Sequence, residues 1–170
     1  MKIAKLPLMN QLMTIALRTN TDDLLKVLSR FDYPPFNQKP ANGGWSAGEI
    51  AEHLLLFDIR VNTVLSGHSV PTTRDAQEKI NTFQERLRDR ENKIDAPPFL
   101  IPSDVAKDPA ALIEKIIAER RKLNQAVIDT DLYLEFPETP HRLFGILTGV
   151  EWVQLLVHHC NRHIMQLREL

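Results

Sequence analysis

Apolar residues return every three or four positions along most of this chain, and that period belongs to the α-helix. Leu8, Leu12, Ile15, Leu24, Leu28 and Phe31 predict one long helix, or two end to end, over residues 8–31. The stretch DYPPFNQKPANGG must then be loop, because Pro34, Pro35 and Pro40 cannot continue a helix and Gly43 and Gly44 disfavour one. At SAGE, Ser46 can accept from the first turn while Glu49 reaches back, a capping box that opens a helix from about 47 to 66 ahead of Gly67. Residues 74–93 are highly charged, with Ile80, Phe83 and Leu87 as their few apolar positions, and predict a solvent-facing helical excursion within a long crossover.

APPFLIP reads as extended. Asp108 then precedes Pro109, the order expected at a helix start, and Leu112, Ile116, Leu123 and Val127 share one face of a helix running to about Asp129. FPETPHRLFG reads as a loop with room for a short turn. Thr148 and Glu151 form a second capping box, opening a last helix that runs to the end of the chain. No strand pattern competes. The fold class expected is all-α: a four-helix bundle, one domain over residues 1–170, with a long crossover carrying a charged extra helix.

Bulk composition narrows function by exclusion. A length of 170 residues can bury a core without staples, and 43% hydrophobic with 25% charged residues is ordinary for a soluble globular chain. A formal net charge of −1 gives no electrostatic case for nucleic acid or for an anionic membrane. The single cysteine, Cys160, excludes an intramolecular disulfide and fits a reducing compartment. The N-terminal stretch carries no cleavage-site pattern, and no apolar run is long enough to span a bilayer, so a cytoplasmic protein is expected.

The last helix holds the most informative anomaly. Trp152, Leu156, His159, His163, Gln166 and Leu170 are spaced by 4, 3, 4, 3 and 4 and so share one face. Val153, Val157, Cys160, Ile164 and Leu167 form an apolar stripe beside it, while Glu151, Gln154, Asn161, Arg162, Arg168 and Glu169 are expected to be wet. Two histidines thus interrupt a face whose other members are expected to be buried. On the second helix His53 shares a seam with Ile50, Phe57 and Val64, where leucine would be the ordinary choice. Buried imidazoles cost free energy unless each finds a partner, and histidines four apart on a helix can grip one ion. Three inward histidines on two helices could converge in the core and leave a coordination position open, as catalytic sites do. Equally, each could be a hydrogen-bonded core residue. His158 falls at the edge of the wet face, for a surface or supporting role, and His68 and His141 sit in loops and are expected at the surface.

The stretches GGWSAGEIAEHLLLFD (43–58) and FGILTGVEWVQLLVHHCNRHIMQL (144–167) resemble the DinB/YfiT-like superfamily. Its pattern is a Trp-Ser helix start with a histidine some residues on, then Thr-x-x-Glu-Trp leading to H-x-x-x-H-x-x-Q. Here these are Trp45, Ser46 and His53, then Thr148, Glu151, Trp152, His159, His163 and Gln166. The resemblance implies a four-helix bundle with a divalent metal ion, nickel or zinc (iron in related domains), held by His53, His159 and His163. It further implies transfer or isomerisation chemistry with a low-molecular-weight thiol such as bacillithiol or mycothiol as cosubstrate, and a homodimer.

The mechanism expected is attack of a small thiol, activated at the metal, on an electrophilic small-molecule substrate. Gln166 is a candidate to orient a ligand or water, and Arg60, near the His53 face, a candidate for an anionic substrate group. Glu151 is expected to be occupied by capping, and Trp45 and Trp152 to anchor packing. The alternatives are a metal-dependent hydrolase, for which neither seam offers a clear carboxylate base, and a non-catalytic metal-binding or stress-related bundle protein. The loops 32–44, 67–108 and 130–147 are expected to shape the pocket mouth.

Overall fold

A computed structural model describes residues 7–89 and 94–170. Four long helices make the bundle: α1 (Leu8–Leu28), α2 (Ala47–Leu65), α4 (Pro109–Asp129) and α5 (Gly149–Arg168). A shorter helix, α3 (Ile80–Arg88), lies in the crossover between α2 and α4. Helix α1 packs on α4 and α5, and α2 packs on the same two, so α1 and α2 stand diagonally and α2 and α5 are neighbours. A minimal antiparallel ladder, β1 (Val70–Pro71) with β2 (Leu134–Glu135), ties the two long connections together at one end. No helix of the described residues is long and apolar enough to cross a membrane.

The expected helix starts are all present. Ser46 accepts from Glu49 N–H and the Glu49 carboxylate accepts from Ser46 N–H. Thr148 and Glu151 make the same reciprocal pair at α5. The Asp108 carboxylate accepts from Ala111 N–H at 2.7 Å, with Pro109 as the first helical residue. Each such cap is worth about 1 kcal/mol. Leu112, Ile116, Leu123 and Val127 are buried as the periodicity requires.

Several expectations need correction. In α1 the inward seam is Asn10, Met13, Leu17, Asn20, Leu24 and Val27, while Leu8, Leu12 and Ile15 are 70%, 48% and 62% exposed. The helix turns this way because its two asparagines are satisfied inside. Asn10 donates to the carbonyls of Val127 and Thr130 at the end of α4, and Asn20 donates to Asn161 Oδ1 at 2.8 Å. Phe31 lies beyond the helix, half-buried against the core. Leu170 follows the end of α5 and is exposed.

The charged crossover is helical and mostly solvent-facing, as expected, except along one apolar edge. Phe83 is fully buried and Leu87 nearly so, and α3 packs its apolar edge on α5. Arg74 is half-buried, and residues 90–93 lie outside the described set. The APPFLIP stretch contains a short 3-10 turn at Pro98–Leu100. Glu151, expected to be wet, is fully buried. It accepts both Arg74 Nη groups at 2.7 Å, Lys79 N–H at 2.9 Å and Thr148 N–H at 3.0 Å, which fastens the crossover to the start of α5. Burial alone would raise its pKa; the Arg74 pair and these N–H donors outweigh that and hold it below the usual carboxylate range.

A second buried polar cluster sits among all four long helices. Arg120 on α4 donates from Nε to Asp58 on α2 at 2.6 Å and from Nη1 to Asn20 on α1 at 2.8 Å, and Asn20 in turn reaches Asn161 on α5. Asp58 and Arg120 are each 1% exposed.

Candidate metal centre

His53 on α2 and His159 and His163 on α5 meet where these neighbouring helices face each other, near the capped start of α2 and in the C-terminal half of α5. His53 and His163 are buried and His159 is largely so. The His159 Nε2 lies 3.1 Å from His53 Nε2 and 3.2 Å from His163 Nε2, and one ligand atom from each ring falls within 4.8 Å of the others. Two nitrogens held at about 2.0–2.1 Å from one cation, at roughly right to tetrahedral angles, stand about 2.9–3.4 Å apart. The spacing fits.

Hydrogen bonding argues further. His53 Nδ1 faces the carbonyl oxygen of Leu100 at 2.7 Å, so Nδ1 carries the proton and Nε2 keeps its lone pair. His163 Nδ1 donates to Gln166 Oε1 at 2.9 Å, with the same result. The lone pairs of His53 and His163 therefore both point toward His159 Nε2, and one N–H there could serve only one of them well. A shared cation would satisfy all three nitrogens. The carbonyl and amide that fix two of these rings are the partners metal-ligating histidines ordinarily have. The third ring lacks one: His159 Nδ1 is buried without a hydrogen-bond partner among the described residues.

Burial sets the charge state. It pushes the His163 pKa down to about 3, helped by the positive charge that His53 would carry and opposed by Gln166. Burial also lowers His53, against the Leu100 carbonyl, and takes His159 well below the usual imidazole range, with His163 and His53 adding to the effect. All three rings are neutral at neutral pH, the form that binds metals. Aromatic walls fix the group: Trp45 lies 4.8 Å from the His53 ring and stacks at 6.4 Å on His163, and Phe57 meets His159 edge-on at 4.7 Å.

The cluster opens into a cavity of about 680 Å³, a volume suited to a small-molecule ligand. Its mouth is built by residues 42–44, 94–100 and 140–144, within the three loops the sequence pointed to. The expected site residues sort as follows. Gln166 holds the His163 ring through its Oε1 and also lines the cavity. Arg60 lines the cavity with its guanidinium 5.5 Å from the centre of the Phe99 ring. Both tryptophans line the cavity, which makes them walls of the site as well as packing anchors. Cys160 is buried outside the cavity, and burial pushes its thiol up to about 11. His158 is half-buried, its Nε2 3.3 Å from Gln84 Nε2, and lines a separate, smaller pocket. His68 is exposed, as expected.

His141 was expected at the surface and is not there. It stacks on Phe144 at 4.8 Å, meets Trp152 edge-on at 5.8 Å and lines the cavity. Burial, with the charges of Arg142 and Arg60, drives its pKa down to about 4. The turn that places it closes through paired bonds between His141 and Gly145, at 2.8 and 2.7 Å. Gly145 has φ +68°, where a side chain would be strained. The Pro140 and Gly145 punctuation marks a turn in the sequence, but nothing local says which way it faces.

Comparison with known proteins agrees with this architecture. The chain is 28% identical over 138 residues to a Bacillus subtilis (strain 168) protein named "Uncharacterized protein YuaE", a match that covers 79% of this chain and 82% of that one. No solved structure matches. The sequence profile described as the DinB superfamily matches residues 16–167, and the chain belongs to that superfamily.

Proposed function

We propose that this protein is a metal-dependent enzyme that transfers a low-molecular-weight thiol to a small electrophilic substrate. The observation that carries the reading is the convergence of three Nε2 atoms, two with their lone pairs fixed by partners, at the wall of a ligand-sized cavity. Three protein ligands leave coordination positions open, the layout of catalytic rather than structural sites, and imidazole donors suit nickel, zinc or iron. A bound divalent cation would supply Lewis acidity at those positions, lowering the pKa of a thiol or water there.

The chain's own groups do the rest. His53, His159 and His163 hold the ion, Gln166 and the Leu100 carbonyl orient two of the rings, and Trp45 and Phe57 exclude water from one side. The protein's own thiol is not available, since Cys160 is buried away from the cavity and held protonated. The attacking thiol therefore comes from a cosubstrate, in a reducing cytoplasm where such thiols persist. A homodimer belongs to the same reading, with the exposed Leu8, Leu12 and Ile15 stripe of α1 as a face to cover.

The test is conjugation of small thiols to a panel of electrophiles by the nickel- and zinc-loaded protein, with His159→Ala alongside. Conjugate formed by the wild type and not by the variant supports the reading. Product formed by the loaded wild type without thiol points to hydrolysis instead. Thiols that leave the spectrum of a cobalt-loaded protein unchanged, with no product from any electrophile, sink the enzyme reading and leave a metal-binding bundle.

A further inference from the structure

Arg60 and His141 are two cavity groups outside the histidine cluster that keep hydrogen-bonding capacity among the described residues. Arg60 lies seven residues after His53, so it projects from nearly the same face of α2 about two turns, or roughly 10 Å, along the helix. Among the described residues its guanidinium makes no hydrogen bond and no ion pair; its one partner is the Phe99 ring. Of the other arginines at the cavity, Arg142 donates to the Asp95 carbonyl, and Arg162 donates to the carbonyls of Leu87 and Asp89. Arg60 therefore presents unspent N–H donors and a full charge to the cavity.

His141 complements it. Leu143 N–H donates to His141 Nδ1 at 3.2 Å, so that nitrogen is the unprotonated one and the neutral ring carries its proton on Nε2. This Nε2–H has no partner among the described residues. Both groups line the same cavity, and Arg60's charge helps keep the His141 ring neutral. Between them and the three histidines the wall is aromatic, with Phe57, Phe144 and Trp152.

We infer that the cavity takes a small organic anion, its carboxylate or phosphate held by the Arg60 guanidinium and the His141 Nε2–H, its flat apolar body against Phe144 and Trp152, and its far end toward the three histidines. A guanidinium and an N–H donor together match the oxygens of such a group. This names the substrate class within the function proposed above and rests on that reading for the role of the far end.

Both tryptophans of the chain line the cavity, so intrinsic fluorescence reports occupancy directly. Benzoate, phenyl phosphate and the neutral isostere benzamide are titrated into the full chain, as purified and after chelation, with metal content measured on the same samples. Benzoate or phenyl phosphate is expected to bind at least tenfold more tightly than benzamide in both forms, and the tighter of the two identifies the anion. Arg60→Gln should weaken that anion about tenfold or more, Arg60→Lys should restore most of the loss, and His141→Phe, which keeps an aromatic ring against Phe144, should weaken it about threefold. Arg86→Gln, on the exposed side of α3, should change nothing. Equal affinity for benzoate, phenyl phosphate and benzamide overturns the inference. So does anion binding that needs the metal and ignores Arg60→Gln, which places the anion on the ion instead. Arg60-dependent anion binding to protein that never holds metal supports the anchor and defeats the three-histidine reading alone.

Discussion

Two of the bundle's buried polar clusters, around Arg120 and around His159, are built on opposite terms. Around Arg120 each of the other three long helices contributes a group of complementary character: a carboxylate from Asp58, an amide oxygen from Asn20, and a second amide from Asn161 behind it. Around His159 the groups are alike. Neutral rings bring lone pairs together, at 3.1 and 3.2 Å, with nothing of opposite sign between them. The complementary cluster has its charges paired when the chain folds, with Arg120 Nη2 alone of that side chain's nitrogens left without a hydrogen bond among the described residues. One of like acceptors, by contrast, is finished by something added. The difference between a structural and a functional buried polar site lies in this matching, since depth and residue count are similar in both.

Breaking the first cluster should cost the fold most. Asp58→Ala leaves the Arg120 charge buried without its counterion and should destabilise the chain by about 3–5 kcal/mol in urea unfolding. His53→Ala, by contrast, removes one of several crowded acceptors and should change metal-free stability by far less. Equal losses in the two variants would erase the distinction.

Acid should separate the clusters as well. The pKa values of His163, about 3, and His141, about 4, lie below the ordinary imidazole value, so the unfolded chain takes up protons that the folded chain refuses. Their contribution is complete above about pH 6.5 and is lost as pH falls through the window below it. Metal-free stability should drop by roughly 1.4 kcal/mol per pH unit for each such ring, down to its folded pKa. Unfolding curves at stepped pH in a chelator check this; a flat profile between pH 6 and 4 would count against buried neutral rings.

Two smaller effects sharpen the comparison. Gln166→Leu frees the His163 ring without touching any nitrogen aimed at the ion, and should weaken metal affinity about 10- to 100-fold while leaving the fold intact. Calorimetric titration measures it. Thr148→Ala should do the reverse, costing about 1 kcal/mol of stability through the lost cap with little change in metal affinity. A large affinity change there would mean that the start of α5 is coupled to the site.

The helix starts were readable because a capping box is a local contract: Ser46 with Glu49 and Thr148 with Glu151 need only three residues' separation to be recognised. His53, His159 and His163 were readable for a related reason, being polar exceptions on otherwise apolar seams. The seam of α1 misled because Asn10 and Asn20 are buried by partners more than a hundred residues away, which no local pattern shows. Glu151 appeared wet for the same reason, its guanidinium partner lying in the crossover. His141 escaped because a loop residue's direction is set by the turn that carries it, and Arg60's freedom became visible only once Arg142 and Arg162 were seen to be committed elsewhere.

The central claim is that three imidazoles jointly hold one divalent ion. X-ray absorption of the nickel- or zinc-loaded protein, with metal content determined for His53→Ala, His159→Ala and His163→Ala, tests it most directly. The account predicts one ion per chain, three imidazole nitrogens at about 2.0–2.1 Å for zinc, and loss of the ion in each variant. An ion retained by all three variants, or a coordination shell without histidine, would contradict it.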